Sequence, residues 1–168
     1  MRKQIEKAIN FAKEKHKNQT RRFSDIPYFI HPSRVANILK NYTNEEELII
    51  AAYLHDTIED TDTTSAEIEE QFNQRIAYLV NELTSDNKAI QKMGKAKYLT
   101  AKMSKMSDDA LLIKLCDRLD NLTDLGNASK KFIKNYKNQT RYILDNIKRK
   151  NDFSSSQIEL INRILKLL

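Results

Sequence analysis

Apolar residues recur at three- and four-residue intervals along almost the whole chain, the period of an α-helix that buries one face. Val35, Ile38, Leu39 and Tyr42 follow Pro32 at that spacing, and the stretch from Leu111 to Leu119 makes a second, more strongly apolar helix. Strict alternation, the mark of a half-buried strand, is nearly absent, and 2 Gly and 2 Pro leave few interruptions to helical order. The pattern predicts helices near 2–17, 32–42, 45–58, 64–71, 73–84, 89–105, 109–124, 129–149 and 155–167, joined by short polar turns. The expected fold class is all-α, one bundle of roughly eight to ten helices in a single domain spanning 1–168.

The last predicted helix carries Ile158, Leu160, Ile161, Ile164, Leu165, Leu167 and Leu168, with Ser156 and Glu159 read as a capping box at its start. That much apolar surface calls for cover, either by the chain's own domain or by a second copy in a homo-oligomer. The run is too short and interrupted to span a membrane.

Composition narrows the compartment and the partners. One cysteine, Cys116, excludes an internal disulfide, and the charged first helix lacks a signal-peptide core, so a cytoplasmic protein is expected. The formal charge is +6, yet the lysines are interspersed with acids and no DNA-binding motif appears. Attraction of a polyanionic small molecule fits this better than nucleic-acid binding.

The chemistry concentrates at Ala51–Thr61, where His55, Asp56, Glu59 and Asp60 fall within two helical turns beside an apolar run. An imidazole and a carboxylate at adjacent positions suit a divalent cation, and the next turn offers carboxylates to handle the proton of a water. A capped helix end with solvated acids is the competing reading. Two further segments favour the metal. His31 sits beside Pro32 at a predicted helix mouth, and Asp117 interrupts an apolar helix, where a carboxylate wants a partner. His31, His55, Asp56 and Asp117 together form a mixed nitrogen and oxygen set suited to manganese, iron or zinc. Cys116 reads as a small buried hydrophobe, Tyr28 as packing beneath the site and His16 as a structural residue of the first helix.

The order H, H-D-x-x-E-D, D-R-x-x-N, carried by His31, by His55 to Asp60 and by Asp117 to Asn121, resembles the HD superfamily of metal-dependent phosphohydrolases. Within it, the run Leu54–Thr64 with Glu67, Ile68 and Phe72 is similar to the (p)ppGpp hydrolase branch of RelA/SpoT proteins, and to its stand-alone small alarmone hydrolases. The similarity extends from about Ile5 to Tyr142. It implies an all-helical HD domain holding one metal, usually Mn2+, and removing the 3′-pyrophosphate of guanosine tetra- or pentaphosphate through a metal-activated water. It further implies His31, His55, Asp56 and Asp117 as ligands, and Glu59 and Asp60 as the catalytic pair. No synthetase domain fits in the remaining length, so a degradation-only enzyme is expected.

The substrate contacts implied by the resemblance are Arg22, Ser24 and Asn121, with Arg21, Lys95 and Lys97 as further candidates for phosphates. Two positions depart from the family's pattern: Phe23 stands where a lysine is usual, and Thr123 replaces a common arginine. They keep open a phosphohydrolase for another nucleotide, such as NADPH 2′-phosphate or a deoxynucleotide monophosphate. A catalytically silent nucleotide-binding module is the remaining alternative.

Overall fold

The structure, a computed structural model, describes residues 2–168. Among these residues all regular structure is helical: α1 (Arg2–Lys15), α2 (Ile30–Leu39), α3 (Glu46–Leu54), α4 (Thr57–Asp60), α5 (Ser65–Gln71), α6 (Gln74–Leu83), α7 (Asn87–Met93), α8 (Lys95–Lys105), α9 (Asp108–Thr123), α10 (Lys130–Asn146) and α11 (Ser155–Leu165). One isolated antiparallel bridge, Thr20 to Pro27, closes the loop between α1 and α2. Two compact units divide the chain, the first ending at Thr84 and the second covering Ser85–Leu168.

In the first unit α3 is the central element. Every residue from Leu48 to Leu54 is buried, so it has no polar face and packs against α1, α2 and α6. Side-chain caps start the surrounding helices: Thr64 accepts from the Glu67 amide and Asn73 from the Ile76 amide. In the second unit α9 has the central place, buried from Ala110 to Asp120 and again at Leu122, with α11 packed along it and α10 against α8. Ser107, Ser129 and Asp86 cap α9, α10 and α7 in the same way.

Two of the expected helices are broken. The stretch expected at 45–58 ends as α3 at Leu54 and restarts as α4 at Thr57, because two side chains take carbonyls that a continuous helix would use. His55 Nδ1 donates to Ala52 O at 2.8 Å and Thr57 Oγ1 donates to Leu54 O at 2.7 Å. The stretch expected at 89–105 breaks at Gly94, whose φ of +83° is available to glycine at little cost. Helix α2 begins at Ile30, two residues ahead of Pro32, so His31 lies inside its first turn.

The capping box also lies two residues earlier than expected. It is formed by Ser154 and Gln157, not Ser156 and Glu159, since α11 starts at Ser155. Gln157 is buried and donates to Asp108 O at 3.0 Å, which leaves it unavailable to solvent as an ordinary surface amide would be. Arg149, after α10, donates to the carbonyls of Met103 and Met106 and so terminates α8.

Candidate metal centre and active site

Three residues of the first unit converge on one point. His31, from the first turn of α2, and His55, at the end of α3, are each 1% exposed, with ring centroids 5.2 Å apart. The Asp56 carboxylate lies between them: its Oδ2 is 3.0 Å from His55 Nε2 and 3.6 Å from His31 Nε2. The break after α3 makes this possible, since it turns Asp56 out of the apolar helix while its carbonyl still accepts from the Asp60 amide at 2.9 Å.

The tautomer of His55 follows from its partner. A carbonyl can only accept, so Nδ1 carries the hydrogen and Nε2 of the neutral ring presents its lone pair toward Asp56. A lone pair facing a carboxylate oxygen at 3.0 Å is repulsive unless a proton or a cation stands between them. Ring nitrogens and a carboxylate oxygen are together a fitting donor set for a divalent transition metal, and His31 and His55 both belong to a group of donor atoms close enough to hold one.

Tyr28 joins this cluster to the acidic turn that follows. Its hydroxyl donates to Asp56 Oδ2 at 2.7 Å and lies 3.1 Å from Asp60 Oδ2. Having one hydrogen, the phenol serves both carboxylates at full strength only if one of them is protonated. Asp60 is the better candidate for that proton. Burial of its carboxyl, followed by the charges of Asp56 and Glu59, pushes it up to about 6, against the downward pull of the Tyr28 hydrogen bond. Glu59 is half-buried on the same short helix.

Around Tyr28 the loop from His16 to Tyr28 is closely tied. The Tyr28 amide donates to Gln19 O at 2.9 Å, and the Arg21 amide to Ile26 O at 2.9 Å. The Arg21 guanidinium lies 5.6 Å from the Tyr28 ring centre, whereas that of Arg22 lies 5.4 Å from the ring of Phe23. Arg21 is thereby placed beside a residue of the cluster. Ser24, half-buried, turns back so that its amide donates to Arg21 O at 3.2 Å.

In the second unit, Asp117 is buried on α9, with Lys114 Nζ 2.7 Å from its Oδ2 and the Asn121 amide donating to its Oδ1. Asn121 thus stands on the Asp117 face of the helix, as its four-residue spacing requires. Thr123 spends its hydroxyl on the Asp120 carbonyl at 2.8 Å. Lys95 and Lys97 are exposed in the first turn of α8. Cys116 is buried, and burial together with the neighbouring Asp117 charge pushes its thiol up to about 12, leaving it an inert hydrophobe near neutrality.

Sequence reasoning undervalued Tyr28, which is far more than packing, and gave Gln19 no role. The available signal was the three-residue separation of Tyr28 from His31 ahead of a helix mouth, which places a phenol tip beside whatever the histidine holds.

An HD-domain family model matches residues 8–152 and so spans both compact units. The guanosine-3′,5′-bis(diphosphate) 3′-pyrophosphohydrolase of Aquifex aeolicus is 44% identical over 124 residues, which cover 73% of this chain but 18% of that much longer protein. The enzyme of the same name in Xenopus tropicalis, MESH1, is 43% identical over 124 residues, covering 72% of this chain and 69% of its own length. A solved structure of a metazoan ortholog of SpoT that hydrolyses ppGpp superimposes with a TM-score of 0.83 at 28% identity, covering 98% of this chain and 97% of that one. The chain belongs to the HD-domain family. Among the described residues no helix is long and apolar enough to cross a membrane.

Proposed function

We propose that this protein is a metal-dependent guanosine-3′,5′-bis(diphosphate) 3′-pyrophosphohydrolase, converting (p)ppGpp to GDP or GTP plus pyrophosphate. The observation that carries the reading is the convergence of His31, His55 and Asp56, with Asp60 tied to the same carboxylate through Tyr28. The names of the Aquifex and Xenopus relatives and of the metazoan ortholog supply the substrate.

His31, His55 and Asp56 would hold the cation, with Asp117 as the further oxygen ligand, and manganese is the metal the donor set and the family resemblance favour. When bound, a divalent cation supplies Lewis acidity, easing the deprotonation of water and neutralising phosphoryl charge. Asp60 and Glu59 orient the attacking water and take its proton. A carboxyl at about 6 is ionised at neutral pH, yet basic enough to accept that proton. The water oxygen attacks the phosphorus attached to the ribose 3′-oxygen, that P–O bond breaks, the 3′-oxygen takes up a proton and pyrophosphate leaves. Negative charge grows on the phosphoryl and leaving oxygens, so Arg21 and Arg22, with Ser24, Lys95, Lys97 and Asn121, serve as the donors that bind phosphates and ribose.

The test is turnover of ppGpp by metal-stripped protein with manganese added back, GDP and pyrophosphate being followed as separate products. Equal release of both, dependent on manganese, is the expected result. Manganese binding without loss of ppGpp would overturn the substrate assignment and call for a panel of other phosphorylated nucleotides.

A further inference from the structure

The residues that hold the acidic turn in place are not those that carry the proposed chemistry. Asp60 ends α4, a helix of four residues, which is too short to maintain its own geometry in water. Two ties from outside the helix secure it. Gln19 Nε2 donates to the Asp60 carbonyl at 2.7 Å, and the Tyr28 hydroxyl meets the Asp60 carboxylate.

The orientation of Gln19 follows from the first of these ties. Its amide nitrogen must face the Asp60 carbonyl, so its Oε1 faces His16 Nδ1 at 2.7 Å and accepts from it. His16 is therefore the tautomer with its hydrogen on Nδ1. The ring is 2% exposed, its Nε2 has no hydrogen-bond partner among the described residues, and it lies against Tyr28 with centroids 4.8 Å apart and planes tilted by 34°. Burying an imidazole with one nitrogen unserved costs stability, which packing alone would not select over an apolar ring.

We propose that His16, Gln19 and Tyr28 form a positioning unit that sets the spacing between Asp56 and Asp60. His16 orders the Gln19 amide and the Tyr28 ring; Gln19 holds the Asp60 backbone; Tyr28 holds the Asp56 and Asp60 carboxylates. The inference rests on the roles assigned to Asp56 and Asp60 above, and it makes the three residues act through different arms. Tyr28 reaches the candidate ligand Asp56 as well as Asp60, whereas Gln19 reaches Asp60 alone.

The experiment measures manganese affinity without substrate, together with kcat and KM for ppGpp and thermal midpoints, for Tyr28→Phe, Gln19→Met and His16→Phe. Tyr28→Phe is expected to weaken manganese binding about tenfold and to lower kcat about 10–100-fold, with KM within about threefold of the parent, the usual reach of a hydrogen bond behind a metal ligand. Gln19→Met lowers kcat about tenfold while leaving manganese affinity within about twofold, and His16→Phe follows Gln19→Met. Parental manganese affinity and kcat in Tyr28→Phe would overturn the proposal. So would losses that simply track the unfolded fraction in all three variants. If the parent binds manganese but leaves ppGpp intact, the functional reading fails, and the affinity difference between Tyr28→Phe and Gln19→Met still decides whether Tyr28 positions Asp56.

Discussion

Lys114 and Asp117 pair across one turn of α9, Nζ to Oδ2 at 2.7 Å, with both side chains largely removed from water. The ammonium neutralises a carboxylate that the apolar surroundings would otherwise penalise. Replacing Lys114 by Met leaves that charge buried without its ammonium partner, with the Asn121 amide still donating to it. In metal-free protein the substitution is expected to cost about 3 kcal/mol, in the range found when one partner of a buried pair is removed. With Asp117 as a metal ligand, manganese should stabilise Lys114→Met more than the parent, since the cation takes over the lost compensation. Urea melts of both proteins with and without manganese check this; an equal metal-induced shift would remove Asp117 from the ligand set.

Asp60 predicts a pH dependence. Its carboxyl is raised from 3.8 to about 6, so its contribution to folding is complete below pH 4 and is lost as the pH rises through 6. Asp60→Asn should therefore stabilise metal-free protein at pH 8 by about 1 kcal/mol, the group being partly open to water and screened there, and change little at pH 4. The same substitution should lower kcat at least about a hundredfold, within the range set by loss of a general base. In the metal-loaded parent, kcat/KM should fall as Asp60 is protonated, at a pH below the value of about 6 in the metal-free protein because a cation at Asp56 offsets part of the charge that raises it. Chemical denaturation at the two pH values and a pH–rate profile are the measurements.

Cys116 should resist thiol reagents in the native state. Its burial and a thiol near 12 leave almost no thiolate at pH 8, so labelling is expected only as fast as the protein opens. Complete labelling in denaturant, with less than about a tenth under native conditions over the same interval, is the expected contrast. Rapid native labelling would contradict the buried position of this residue on α9.

Gly94 ends α7 and precedes α8 with a φ of +83° and a ψ of 143°, a region that favours glycine, and nothing lies within 4 Å of where a Cβ would stand. The cost of Gly94→Ala is therefore one of backbone strain alone, about 1 kcal/mol, with no clash to relieve. A lowered urea midpoint with an unchanged m-value would confirm it. A neutral outcome would mean that α7 and α8 can join into the single helix that their apolar period suggests.

Part of this fold was legible from the chain and part was not. The helical period around Val35 locates α2 to within a few residues, because burial of one face leaves a repeating mark, whereas α3 and α9, buried on all sides, show as continuous apolar runs. The clustering of His31, His55 and Asp56 was legible for a different reason: ionisable groups beside buried apolar residues need partners. The break between α3 and α4 carried no such mark. It depends on His55 and Thr57 donating to carbonyls three residues back, a competition between side chain and backbone that residue identity permits but does not require. The second role of Tyr28 was hidden likewise, since a phenol between apolar neighbours reads as packing until its hydroxyl is seen on two carboxylates.

The interruption after Leu54 also limits how such a chain can change in length. One residue added or removed between His55 and Asp60 would rotate everything beyond it by about 100° about the helix axis. Asp60 would swing off the Tyr28 hydroxyl and its carbonyl off Gln19, while His55 stayed anchored to Ala52. Variation in this stretch is therefore open to exchange of side chains and closed to insertion or deletion. The six residues from His55 to Asp60 should keep a constant count wherever the same two ends are held, even where the loops on either side grow or shrink.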